Sequence, residues 1–305
     1  MAVDLVIIAL IKTLQLCLRA LPEAASLATG RLLGRAGFAI LRRRRNIAIS
    51  NILRAFPEKS RDDARRIALS CFQKLGTNAI ELLLVPFLPP AEVPRRFSLE
   101  PQDIVARTLA AGSGVIALTF HFGNWEIMGI TSKLLDQPVV ALAKPLKKRA
   151  RLNAFLNSLR ESTGLTIIVN ANTAKEVMRL LKRKAIVAIL GDQREKRSRG
   201  VFVDFFGHKV PTSKGTAMIG MKTGCQVVPC YPVRKGFLRY TIMCGEPLVM
   251  EREGDIEELI EKNTRKINAF LEDIIRAYPD EWFWVHQRWG RKRKQARSHS
   301  QSFLL

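Results

Sequence analysis

Residues 114–126 read Gly114-Val115-Ile116-Ala117-Leu118-Thr119-Phe120-His121-Phe122-Gly123-Asn124-Trp125-Glu126. Six apolar or small residues bounded by Gly114 have the pattern of a buried strand, and the spacing from Trp125 to Leu135 predicts a helix. His121 therefore falls in the turn at the carboxyl end of a strand, where open α/β sheets place their ligand crevices. If the helix begins near Asn124, Glu126 can aim its carboxylate back at the imidazole. A carboxylate on one ring nitrogen fixes the tautomer and makes the other nitrogen a better proton acceptor, so this pair suits deprotonation of a hydroxyl. A satisfied structural histidine is the alternative reading of the same residue. The sequence contains neither a His-Glu-x-x-His zinc helix nor a Gly-x-Ser-x-Gly nucleophile elbow.

Downstream the same alternation continues. Strands are expected at 139–143, 166–169 and 185–190, separated by a basic helix at about 147–162 and another at 173–184. This order predicts an α/β fold with a largely parallel sheet flanked by helices. Gly191-Asp192-Gln193 follows the strand ending at Leu190, so Asp192 and Gln193 should line the same crevice as His121. The stretch 201–207 is extended and aromatic; Phe202, Phe205 and Phe206, with Phe122 and Trp125, either wall an apolar groove or fill the core. Thr212 or Ser213 is then expected to cap a helix reaching Thr223. Strands at 227–233 and 238–243 and a long amphipathic helix at about 256–277 complete the pattern. Three of the four Trp follow, in Trp282-Phe283-Trp284-Val285-His286-Gln287-Arg288-Trp289, a segment that suits either an interfacial anchor or a cap over the sheet.

Upstream, residues 3–21 are apolar but carry Asp4, Lys12, Gln15 and Arg19. On a helix these four fall within an arc of about 80°, leaving the rest of the surface to Leu and Ile. A central Lys costs roughly 2.5–3.5 kcal/mol in a spanning helix, which favours an anchor lying in or oblique to a membrane. An ordinary helix covering a core is the alternative. A second apolar helix, 26–41, runs into Arg42-Arg43-Arg44-Arg45, and a third covers 46–56. Pro57 breaks it, Ser60 precedes a helix reaching Leu83, and four prolines between 86 and 94 form a connector. The expected organisation is an amino-terminal helical membrane-associating region (1–60), an α/β domain (61–290) and a basic tail (291–305).

The net charge of +23 implies a polyanionic partner, and 47% hydrophobic residues exclude a disordered chain. Residues 1–60 carry a net +7 and residues 291–305 a net +5. Excess cations beside apolar helices suit an anionic membrane surface better than a nucleic-acid groove, and no zinc finger, Walker loop or RNA-binding signature is present. Five Cys without a Cys-x-x-Cys pair read as reduced packing residues.

Taken together, these blocks resemble the bacterial lipid A biosynthesis acyltransferases, a family within the lysophospholipid acyltransferase group. The residues that carry the resemblance are His121 to Glu126, Val201 to Gly207 with Thr212 and Gly215, Tyr278 to Trp289, and Arg45-Asn46 with Asn51 to Pro57. It implies a glycerolipid acyltransferase-like fold and transfer of a fatty acyl group from a thioester, on acyl carrier protein or coenzyme A, to a hydroxyl of a phosphorylated glycolipid at the cytoplasmic face of the bacterial inner membrane. On this resemblance His121 takes the hydroxyl proton and Glu126 orients it. Asn124, Arg160, Asp192 and Gln193 bind substrate or stabilise the transition state, and the five aromatic residues become acyl-groove candidates. Asp192 would hold Arg160 or a substrate hydroxyl. A thioester is already activated, so no metal or other cofactor is expected. Basic surfaces at Lys147–Arg151 and Arg194–Arg199 would recruit the anionic partners. Two other readings are an acyltransferase acting on another glycolipid or a lysophospholipid, and a non-enzymatic basic protein binding membrane or nucleic acid.

Overall fold

The alternating apolar runs form a seven-stranded sheet in the computed structural model, which describes residues 2–110, 114–143, 148–169 and 173–290. Four helices come first: α1 (Ala2–Arg19), α2 (Glu23–Ile40), α3 (Arg42–Ala55) and α4 (Arg61–Leu84). The Ser60 hydroxyl and the Asp63 carboxylate cap each other's backbone N–H at the start of α4. Behind the prolines come a one-turn α5 (Val93–Arg96), β1 (Phe97–Glu100) and α6 (Ile104–Ala110). The α/β unit then runs β2 (Val115–Thr119), α7 (Thr131–Leu135), β3 (Val139–Leu142), α8 (Ala150–Glu161), β4 (Leu165–Ile168), α9 (Thr173–Lys182) and β5 (Ile186–Leu190). It closes with β6 (Val201–Phe205), β7 (His208–Thr212), α10 (Gly215–Thr223), β8 (Gln226–Gly236), β9 (Arg239–Cys244) and α11 (Ile256–Ala277).

The strand order is β1-β9-β8-β2-β5-β3-β4, and every pairing is parallel except β8 with β9, as the crossover helices require. Alternate residues of β2 serve opposite layers: Ile116 and Leu118 belong to a cluster with Leu181, Met221 and Leu271, while Val115 packs with Ile104, Ile127 and Ile130. Helix α4 reaches both layers, through Phe72 on one side and Ile80 on the other. Ile52 of α3 and Phe56 just after it share a cluster with Phe206, so the expected division at residue 60 does not coincide with a break in the core. The tail at 291–305 lies outside the described residues.

Two strands differ from expectation. The sequence pattern predicts no strand at β1, and 208–212 is the second strand of the antiparallel β6–β7 hairpin. Thr212 is therefore a fully buried strand residue, while Ser213 accepts from the Gly215 N–H at 3.4 Å at the start of α10, whose N-cap residue is Lys214. Helix α2 meets α4 backbone to backbone: a Cβ on Gly76 would lie 2.2 Å from the Gly30 carbonyl oxygen, and one on Gly34 2.1 Å from that of Phe72. Only glycine permits that approach.

Helix α1 buries two members of its polar stripe, Asp4 and Gln15, together with Leu18, and leaves Lys12 and Arg19 exposed. Asp4 is buried on Arg149 of the α8 N-cap at 2.8 Å, and Gln15 donates to the Leu83 carbonyl at 2.9 Å. The apolar face points outward, with Leu5, Val6, Leu10 and Leu16 all at least half exposed; Leu32, Leu33, Ile40 and Leu41 are similarly exposed at α2. Among the described residues no helix is long and apolar enough to cross a membrane.

Candidate active site

Strands β2 and β5 are neighbours in register, with Thr119 opposite Leu190. Two residues beyond each strand end stand His121 and Asp192, side by side. The Asp192 carboxylate receives the His121 Nδ1 at 2.8 Å, the His121 backbone N–H at 3.0 Å and the Trp282 indole N–H at 2.8 Å. Asp192 is buried, which by itself pushes its pKa up. The charge that His121 carries when protonated and the three hydrogen bonds outweigh that burial and hold the carboxyl below its ordinary value. An ionised Asp192 can only accept, so Nδ1 carries the proton of the neutral ring and Nε2 is the basic atom. That atom lies 3.0 Å from the side-chain nitrogen of the exposed Gln193. Trp125 and Phe283 flank the imidazole, with ring centroids 5.1 and 5.8 Å away.

Glu126 does not orient His121. The chain leaves β2 through Gly123, whose φ is +56°; a Cβ there would lie 2.6 Å from the Pro232 carbonyl oxygen. Trp125–Ile130 then forms a 3₁₀ turn, with α7 following. This path carries Glu126 to α8, where its two oxygens take Arg160 Nε at 2.7 Å and Nη2 at 2.9 Å. The bidentate bond raises the pKa of Arg160. Arg160 is therefore held by Glu126, and Asp192, expected to hold Arg160 or a substrate hydroxyl, holds the histidine.

Several other candidates lie beneath the site. Asn124 is fully buried and donates to Glu81 at 2.8 Å, so its amide supports the turn from below. Phe122 packs edge-on against Tyr231 and Tyr278. Phe205 and Phe206 are buried with Trp282 and Phe56. These three phenylalanines are core, so they do not wall a groove. Trp125 is partly buried beside His121, and Phe202 lies under the Arg197 guanidinium, 4.8 Å from its carbon. A groove of about 570 Å³ between α9 and α10, rimmed by Lys175, Arg179, Lys182 and Lys222, contains none of the candidates.

The tryptophan segment is a cap over the sheet, with Trp282 and Trp284 buried, and so does not form an interfacial anchor. It runs beside the histidine turn: Gly123 N–H donates to Glu281 and Phe283 N–H to His121, each at 2.9 Å. Asn51 of α3 holds it from outside through the Trp284 and His286 carbonyls, at 2.8 and 2.7 Å. Fully buried Arg288 ties it to the β6–β7 hairpin, donating to Thr212 Oγ1 at 2.7 Å. Burial pushes the His286 pKa down to about 4 despite the pull of Asp192, so this second imidazole is neutral at pH 7. The sequence pattern assigns Asn51, Trp282 and Arg288 no position in the site.

The model of the family "Bacterial lipid A biosynthesis acyltransferase" matches residues 3–291. The chain is similar to a lipid A biosynthesis palmitoleoyltransferase of Escherichia coli K12, with 24% identity over 85% of this chain and 83% of the relative. It is also similar to a lipid A biosynthesis lauroyltransferase of the same organism, with 23% identity over 84% and 82% of the two chains. A phosphatidylinositol mannoside acyltransferase of Mycolicibacterium smegmatis is 24% identical over 81% of this chain and 78% of the relative. With a family match running through both the helical layer and the sheet, the chain belongs to the bacterial lipid A biosynthesis acyltransferases.

Proposed function

We propose that the chain transfers a fatty acyl group from an acyl carrier protein thioester to a hydroxyl of a phosphorylated lipid A precursor, at the cytoplasmic face of the inner membrane. The observation that carries this reading is the His121–Asp192 pair, with Nε2 facing outward between two aromatic rings. In this mechanism Nε2 takes the proton of the acceptor hydroxyl while Asp192 steadies the imidazolium. The oxygen attacks the thioester carbonyl, and the sulfur leaves with the proton that His121 returns. Glu126 acts at one remove, fixing Arg160 and through it α8 against the catalytic turn.

The anionic character of both proposed substrates fits the charge distribution. Arg194, Lys196, Arg197 and Arg199 are exposed in the loop that starts directly after Gln193, a suitable approach for an acidic carrier. Lys147 of the second expected basic surface lies outside the described residues, and Arg149 is engaged by Asp4. Mass spectrometry of membrane lipids from cells lacking or overproducing the chain tests the reaction: a lipid A species should lose or gain one acyl mass. A change confined to another lipid would instead support a different glycolipid acceptor. That second reading is favoured by the similarity to a phosphatidylinositol mannoside acyltransferase.

Residues 1–60 are proposed as the membrane-associating region, on the strength of the outward apolar face of α1. Each of Leu10→Glu and Leu16→Glu should weaken flotation with phosphatidylglycerol-containing vesicles at least about tenfold, since burying a leucine is worth roughly 1.5–3 kcal/mol. Because both residues are exposed, the melting temperature should hold. Undiminished flotation of the double variant would remove α1 from the membrane contact.

A further inference from the structure

We infer that the side-chain amide of Gln193 is the oxyanion donor of this acyl transfer, parked on the general base until the acceptor arrives. The inference rests on the acyl-transfer reading above and gives it a component that reading left open. A tetrahedral intermediate on a thioester carbonyl needs a hydrogen-bond donor beside the atom that takes the acceptor's proton. The backbone of the histidine turn does not offer one between residues 121 and 123. His121 N–H is spent on Asp192 at 3.0 Å, Phe122 N–H on the Phe120 carbonyl at 2.7 Å, and Gly123 N–H on Glu281 at 2.9 Å. Arg160 has three of its five N–H donors spent away from the base: Nε and Nη2 bind Glu126, and Nη1 donates to Asn157 at 3.3 Å.

Gln193 remains. With Nδ1 protonated toward Asp192, His121 Nε2 presents a lone pair, and the group 3.0 Å from it is an amide NH₂ that can only donate. Gln193 is exposed and follows Asp192 directly, so its backbone is fixed by the pinned carboxylate while its long side chain is free to swing. An incoming hydroxyl takes the place of the amide on Nε2. As the oxygen–carbon bond forms, the carbonyl π pair moves onto its oxygen, on the same carbon as the attacking atom, and the displaced amide donates to it there. Collapse restores the carbonyl, breaks the carbon–sulfur bond and sends the Nε2 proton to sulfur. The amide then returns to Nε2.

The alternative role for the same contact is a simple cap that competes with the acceptor, and the two roles differ in sign. The full chain in detergent would be assayed with dodecanoyl thioesters of acyl carrier protein and of coenzyme A, with a hydroxyacylated diglucosamine bisphosphate as acceptor. Thiol release and product mass would both be followed. An oxyanion donor predicts that Gln193→Ala lowers kcat about 10²-fold with KM changed less than about twofold, because the lost bond exists only in the transition state. Gln193→Glu, of equal size but without the donor, should fall further, and Gln193→Asn should retain part of the rate. All three should melt with the parent, since the side chain is exposed. An unchanged or faster kcat in Gln193→Ala would overturn the assignment and leave the acyltransfer reading intact. No thiol release by the parent from either thioester would overturn both.

Discussion

Asp192→Asn is expected to lower kcat for acyl transfer by about 10³–10⁴-fold while leaving the fold in place. The substituted amide oxygen can still accept from the His121 backbone N–H and the Trp282 indole, which are 3.0 and 2.8 Å from the carboxylate now. Its NH₂ group then faces Nδ1, and two donors cannot share that contact. The ring must present a lone pair at Nδ1 and carry its proton on Nε2, so the atom that should take the acceptor's proton is already protonated. In serine proteases the equivalent exchange costs about 10⁴ in kcat. The sequence spacing points to Glu126 for the orienting role, so the two carboxylates need separating by a cycle with His121→Ala. Residues acting as one unit are strongly non-additive. Asp192→Asn should therefore add little once His121 is gone, whereas Glu126→Gln, which breaks the Arg160 pair, should add nearly its full effect. The reverse pattern would return the orienting role to Glu126.

That exchange of roles marks the limit of what sequence alone conveys. The sheet was legible because its central strands are continuous apolar runs between helices, the signature of strands buried on both faces. β1 was not, being four residues behind a proline-rich connector, nor was the β7 half of the hairpin, whose Pro211 and Thr212 read as a helix start. At the site, His121 and the crevice followed from position at a strand end. Its partner did not, because Glu126, five positions on, reaches the imidazole only if a helix starts near Asn124, and Gly123 with a 3₁₀ turn redirects the chain. What identifies Asp192 is the register of β2 against β5, a relation between segments some 70 residues apart. Likewise the polar stripe of α1 was visible, but the burial of Asp4 and Gln15 within it depends on Arg149 and Leu83, which no local pattern supplies.

The largest stability loss is expected at Glu81, a residue with no place in the chemistry. Its carboxylate is completely buried under the histidine turn and accepts four donors. One oxygen takes the Arg234 guanidinium and the Leu238 backbone N–H, the latter at 2.8 Å. The other takes Asn124 at 2.8 Å and the Tyr240 hydroxyl at 2.5 Å. Glu81→Ala strands a largely buried Arg234 whose Nε has no partner among the described residues and whose remaining side-chain bond is to Asn78 at 2.6 Å. Removing one member of a buried ion pair typically costs about 3–5 kcal/mol, a large fraction of the roughly 5–15 kcal/mol that holds a protein folded. Glu81→Gln should be nearly as harmful, because its amide nitrogen would confront two of the four donors with another donor. The cost belongs to the unpaired charge, so replacing both partners, Glu81→Met with Arg234→Met, should recover much of it. Denaturant midpoints for the two single variants and the pair provide the measurement. A pair as unstable as the single variants would mean that the four hydrogen bonds, and not the stranded cation, dominate. Activity should follow the folded fraction, since Asn124 and the Asn78 contact to the Gly123 carbonyl at 2.7 Å join this cluster to the turn that carries His121.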